Sequence, residues 1–94
     1  MRGELWRYSF GPRNITVLVL TEPKLDPRGN RVVCVEIWSE DPHMLGAVAI
    51  SGHGWLIPTR ISTHLVANLT EHVGDANDAA METVKITLRA ILDL

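Results

Sequence analysis

Five residues of this 94-residue chain carry side chains suited to an anionic or planar partner. Arg13 falls in the turn Gly11-Pro12-Arg13-Asn14 and offers a planar fork of donors that matches a phosphate. Ser39, ahead of Glu40-Asp41-Pro42, offers a hydroxyl that could donate to a phosphoryl oxygen. His53 stands between Gly52 and Gly54 in a stretch expected to be mobile and exposed. An imidazole titrates near neutrality, so His53 could act as acid or base. Trp38 could stack on a nucleic-acid base, worth ~1–3 kcal/mol per base. Arg60 could face an anionic strand or an acidic protein segment. Each also has an ordinary role: a solvated charge for Arg13 and Arg60, turn chemistry for Ser39, a loop imidazole for His53, core or interface area for Trp38. His43, His64 and His72 lack the pairwise spacing of a metal site, so neither a metal nor a cofactor is expected.

The elements that position these residues read mostly as strands. Residues 4–10 alternate, with Trp6, Tyr8 and Phe10 on one face and Leu5, Arg7 and Ser9 on the other. Residues 15–21 form a near-continuous apolar run, as in a strand covered on both faces. Residues 22–30 hold two prolines, a glycine and four charges, and read as an exposed loop. Residues 31–38, rich in β-branched side chains, give a third strand, and residues 45–50 a fourth. Residues 55–63 give a fifth, with Pro58 marking an edge or a bulge. Leu65, Val66, Leu69 and Val73 shift to helical spacing, which predicts a short helix over residues 66–72. The chain then closes with Met81, Val84, Leu88, Ile91 and Leu92, one apolar stripe at helical period. Gly74 permits the turn into that helix, and Asp75, Asn77 and Asp78 offer oxygens to its free N–H groups. The expected fold is mainly β: a bent antiparallel sheet of about five strands, half-barrel in shape, plugged by a C-terminal helix.

Composition sets the outer bounds. Residues 1–94 make one domain, 46% hydrophobic and 21% charged, in the globular class. No apolar run approaches the ~20 residues that span a bilayer. Met1-Arg2-Gly3-Glu4 leads straight into a charged strand, so no signal peptide is expected, and a cytoplasmic location is the simplest reading. Cys34 is the only cysteine and lies in an apolar run, which predicts a reduced, buried thiol. The net charge of −2 conceals an asymmetry: residues 1–31 carry six Arg and Lys against three Asp and Glu, residues 32–94 three against eight.

Several motifs in order resemble the MazF/PemK-like toxins, the endoribonuclease halves of bacterial type II toxin–antitoxin pairs. Arg2-Gly3-Glu4-Leu5-Trp6-Arg7 is similar to their opening strand, and Val17-Leu18-Val19-Leu20-Thr21 to their second. Ile61-Ser62-Thr63 resembles their Ile-x-Thr element. Gly74, Met81, Val84, Leu88 and Leu92 to Leu94 follow their closing pattern. The resemblance implies an SH3-like barrel with a C-terminal helix, assembled as a homodimer. It also implies sequence-selective cleavage of single-stranded RNA without a metal, restrained by a cognate antitoxin whose extended tail lies along the RNA groove. In such cleavage the RNA's own 2′-hydroxyl attacks the neighbouring phosphorus. The protein must move a proton and stabilise added phosphoryl charge.

Three positions depart from the family pattern. Ile15 stands where a basic residue is usual, Trp38 where a Thr closes the third strand, and Thr59 where an acid precedes Ile-x-Thr. Arg13, Ser39 and His53 are the substitutes at hand for catalysis, with Trp38 and Arg60 for RNA contact. Two readings follow. One is an active endoribonuclease toxin. The other is a MazF-like domain that has lost cleavage and keeps RNA or protein binding. The related gyrase-poisoning toxin CcdB relies on an aromatic residue near its C terminus, and Ile91-Leu92-Asp93-Leu94 has none.

Overall fold

A computed structural model describes residues 1–93; Leu94, the last residue of the closing pattern, lies outside them. Six strands and one helix are present among the described residues. They are β1 (Glu4–Phe10), β2 (Arg13–Val19), β3 (Arg31–Trp38), β4 (Val48–Ile50), β5 (Gly54–Leu65), β6 (Leu69–Asp75) and α1 (Asp78–Leu92). They make one antiparallel half-barrel sheet in the order β4-β5-β3-β2-β1-β6.

The hairpin joining β1 and β2 is tighter than the sequence suggests. Phe10 pairs with Arg13, so Gly11 and Pro12 alone make the turn, and Arg13 and Asn14 belong to β2. Gly11 has φ 59 while proline is locked near −65°, the sign pattern of a type II′ hairpin. Pro58 does mark a bulge. Ile37 faces Leu56 and Val35 faces Ile61, so β5 carries the four residues 57–60 against the single Glu36. The excess residues bend β5, letting one strand pair with β4 at its start and with the head of β3 at its end.

The predicted helix over residues 66–72 is absent. Val66–Asn68 form a single 3-10 turn, and the chain continues as β6, paired with β1. A short apolar run fits both periods, and the tertiary partner decides between them. Without β6, the backbone groups of β1 would form an open edge. Leu69 opposite Tyr8 also closes an apolar cluster that a helix would leave unfilled. The fourth strand is shorter than expected, starting at Val48, and the fifth runs on to Leu65.

Both faces of the sheet are covered. Leu5, Leu18, Val35, Ile37, Val48, Ile50 and Leu56 face α1 through Val84, Met81 and Leu88. Tyr8, Val17, Val19, Val32, Cys34 and Leu69 pack on the other side with Trp6 and Val66. Leu5 and Tyr8 point to opposite faces, as the alternation read for β1 has it, and both are buried, so this strand has two interiors. Asn77 caps α1, its side chain accepting from the Ala80 N–H at 2.8 Å. Ile91 and Leu92, at the end of the stripe, remain 41% and 51% exposed.

Candidate phosphodiester cleft

On the face shared with Leu5 and Leu18, the sheet continues past its apolar core into a cleft of about 340 Å³. Its polar lining comes from four elements: Arg7 of β1, Asn14 and Thr16 of β2, Ser39 and Glu40 beyond β3, and His53 of the β4–β5 turn. Arg7 and Thr16 are cross-strand partners in the hairpin register. The Arg7 guanidinium donates to Thr16 Oγ1 at 2.7 Å and to Asn14 Oδ1 at 2.7 Å. Two of its five donors are thus used to fix the plane of the group, leaving three for an anion.

His53 arrives from the opposite end of the sheet. The turn before it is closed by the His53 N–H donating to the Ile50 carbonyl at 2.9 Å. Gly52 and Gly54 adopt φ 79 and 130. A side chain at Gly54 would run into the Trp38 carbonyl, so this glycine lets the turn lie against the end of β3. The imidazole rests on Gly74 of β6, where an added Cβ would stand 2.6 Å from both Cε1 and Nε2. His53 is therefore half-buried and seated, rather than mobile and exposed as its flanking glycines suggested.

The expected site residues separate into two groups. Ser39, His53 and Trp38 line the cleft together. Arg60 does not line the cleft; it lies against Trp38, its guanidinium carbon 5.9 Å from the ring centroid, in a cation–π contact. Arg13 does not line the cleft. It is three residues from Thr16 along β2, hence on the other face, and pairs with Glu36 at 3.5 Å. Glu36 also accepts from Trp38 Nε1 at 3.3 Å. The guanidinium in the cleft belongs to Arg7, which the sequence reading did not single out. The signal was available: a two-residue Gly11-Pro12 turn puts residue 7 opposite residue 16 by counting alone.

The far side of the sheet holds a second polar group. His64 is buried, with Ser62 Oγ 2.7 Å from its Nε2 and the Tyr8 ring 4.1 Å away. Burial lowers its pKa below the ordinary 6.5, and Arg13 adds to the effect while Glu36 opposes it. At the β1–β6 edge, Glu4, His72 and Asp75 bring their potential ligand atoms within 4.8 Å of one another. These groups already satisfy nearby partners: Trp6 Nε1 donates to Glu4 at 2.9 Å, His72 Nε2 lies 3.1 Å from Asp75, and Trp6 stacks on His72.

Neither a protein-family profile nor a curated protein matches this sequence. Solved structures do. A mycobacterial endoribonuclease in complex with its cognate antitoxin superposes with a TM-score of 0.84 at 20% identity, covering 100% of this chain and 93% of that one. MazF in a MazE–MazF crystal from Deinococcus radiodurans gives 0.84 at 14% identity, over 98% and 93% of the two chains. The Mycobacterium tuberculosis toxin MazF-mt6 gives 0.76 at 14% identity, over 97% of each.

The chain has the MazF fold.

Within this MazF fold, the cleft sits between the β1–β2 hairpin and the β4–β5 turn, and draws on elements far apart in sequence. Its donors are a positioned guanidinium and three hydroxyl or imidazole groups, against one carboxylate, Glu40. That combination can bind an anion and exchange a proton.

Proposed function

We propose that this protein is a sequence-selective endoribonuclease toxin that cleaves single-stranded RNA without a metal and is neutralised by a cognate antitoxin. The observation that carries this reading is the meeting of Arg7, Thr16, Ser39 and His53 in one cleft of a MazF fold. The RNA 2′-oxygen forms a bond to the adjacent phosphorus, and the bond from phosphorus to the 5′-oxygen breaks. The products are a 2′,3′-cyclic phosphate and a 5′-hydroxyl. A proton leaves the 2′-hydroxyl and another reaches the departing oxygen; His53 is the group suited to one of these transfers, and solvent water carries the other. Arg7 stabilises the charge that grows on the non-bridging oxygens, and the Ser39 hydroxyl donates to one of them. Trp38, braced by Arg60, provides a face on which a flanking base stacks.

A homodimer is part of the same reading. Leu45 is 99% exposed, and Ile86, Ile91 and Leu92 of α1 leave apolar area that a second copy would cover. The decisive experiment incubates the purified protein with a long unstructured RNA in chelator and maps new ends. Discrete cuts ending in cyclic phosphate, absent in Arg7→Ala, support the proposal. Intact RNA at micromolar protein would instead make the chain a binding module of the same fold, the role in which Ile15, Trp38 and Thr59 at the usual functional positions cost nothing.

A further inference from the structure

The edge strand β6 departs from regular pairing where it meets β1. Leu5 faces Gly74 while Trp6 faces His72, so Val73 is an extra residue on β6, a bulge. In an unbroken strand His72 and Asp75, three positions apart, would point to opposite faces. The bulge returns them to one face, His72 opposite Trp6 and Asp75 opposite Glu4. Glu4, His72 and Asp75 thereby bring one potential ligand atom each to within 4.8 Å of one another. Histidine spacing along the chain does not show this set, because it is completed by a bulge and across a strand pair.

Folding alone does not account for the grouping. Glu4 and Asp75 are Cα partners, and like charges directly opposite each other weaken a strand pair. The Met1 ammonium lies 3.9 Å from Glu4 but 3.2 Å from Glu22, so it serves chiefly the latter. The geometry suits a metal ion instead. His72 Nε2 and Asp75 Oδ1 are 3.1 Å apart. That is close to the ~3.3 Å edge of a tetrahedron whose bonds are about 2.0–2.1 Å. Trp6 braces two of the groups at once. Its ring stacks on His72, with 5.2 Å between centroids, and its N–H donates to Glu4 Oε1, which leaves Oε2 to coordinate. Outer partners of this kind hold ligating side chains in orientation. Asp75 also lines a cavity of about 430 Å³ whose other charged residues are Asp78, Glu82, Arg2 and Lys85. Three carboxylates against two cations make it a net negative approach, with room for the water that completes a coordination shell.

We propose that Glu4, His72 and Asp75 form a binding site for a divalent transition-metal ion of the zinc class, which ties β6 to β1. The imidazole sets the class: zinc and nickel take nitrogen readily, whereas magnesium and calcium take oxygen. None of the three residues lines the phosphodiester cleft, so the ion has no part in RNA cleavage and the inference stands whether or not RNA is cut.

The test titrates the full chain, stripped of metal by chelator and dialysis, with Zn²⁺ in a calorimeter, and with Ni²⁺ while tryptophan fluorescence is followed. One Zn²⁺ should bind per chain at micromolar concentration, and Ni²⁺ should quench part of the emission through Trp6, which touches His72. His72→Phe keeps a ring to stack on Trp6 and removes both nitrogens; it should lower the affinity at least about tenfold and abolish the quenching. Zn²⁺ should raise the melting temperature of the unmodified protein and not that of His72→Phe. Asp75→Asn, at an exposed position, should weaken binding likewise and carries the comparison if His72→Phe fails to fold. His43→Phe should change nothing, although His43 and Asp41 lie 3.8 Å apart, because that pair has no third ligand. Absence of Zn²⁺ binding up to millimolar concentration would overturn the proposal. So would binding that both His72→Phe and Asp75→Asn retain, or that His43→Phe removes. Mg²⁺ or Ca²⁺ bound as tightly as Zn²⁺ would overturn the assignment to an imidazole-selected metal.

Discussion

The guanidinium of Arg7 and the hydroxyl of Thr16 meet at 2.7 Å across the β1–β2 pair, where the two residues stand directly opposite each other. The strand pairing itself aims the arginine, since neither side chain can leave without breaking a partner of the other. Asn14, two residues earlier on the same face of β2, holds the second arm of the fork. Such a group is pre-oriented before substrate arrives, which is how a donor stabilises a charge that exists only in the transition state.

Arg7→Ala should lower RNA cleavage by about 10²–10³-fold, the usual cost of removing one oriented donor. Arg13→Ala should leave cleavage within a few-fold of the unmodified protein, since its partner is Glu36 on the other face. Single-turnover cleavage of one labelled RNA by both variants checks this. Equal losses would mean the cleft is not the site.

His53 and Gly74 form a linked pair. His53→Asn should reduce cleavage, because it removes the group suited to proton transfer. Gly74→Ala should do nearly the same without touching the imidazole chemically, because its methyl occupies the space of the ring. Single-turnover cleavage by each variant, with added imidazole as a test of rescue, separates loss of the group from loss of its seat.

Gly54→Ala should destabilise the fold by about 1–3 kcal/mol, from a non-glycine residue at φ 130 and a methyl driven onto the Trp38 carbonyl. Gly52→Ala meets no neighbour and should cost less, from its φ of 79 alone. Urea titrations of the two proteins supply the comparison.

His64 sets a pH dependence of stability. Its pKa is lowered in the folded state, so the unfolded chain binds more protons than the native one below the ordinary value of 6.5. The stability present at and above neutral pH therefore falls as pH drops through 6.5 toward the lowered native pKa. Thermal unfolding of His64→Gln between pH 7.5 and 5 should show a weaker fall than that of the unmodified chain.

Cys34 should be inert in the folded protein. Burial pushes its pKa up to about 12, and no second cysteine exists to pair with it. A thiol reagent at pH 8 should label it only as fast as the protein unfolds, and at once in denaturant.

The elements that announced themselves in the sequence are those whose patterns have one solution. The span Arg31–Trp38 was legible because a β-branched run between turns fits no helix, and Glu4–Phe10 because polar and apolar residues alternate. The closing helix followed from a stripe at period 3.6, with Asn77 acting as its cap. The apolar run at residues 65–73 admitted two periods, and only pairing with β1 selected a strand. The identity of Cys34 as a buried thiol was a local fact. The grouping of polar side chains in the cleft was not. Arg13 and Ser39 look like neighbours in a turn-by-turn reading, yet strand alternation sends Arg13 to the wrong face for Ser39.

By itself the sequence determined a bent β sheet, a capped terminal helix and the supply of one arginine-rich end, because these depend on neighbours within a few residues. The tertiary structure alone decided which arginine faces the cleft, that His53 rests on Gly74 twenty-one positions away, and that Glu4 joins His72 and Asp75. Those relations depend on register and closure. A change of one residue in register would turn every such side chain to the other face.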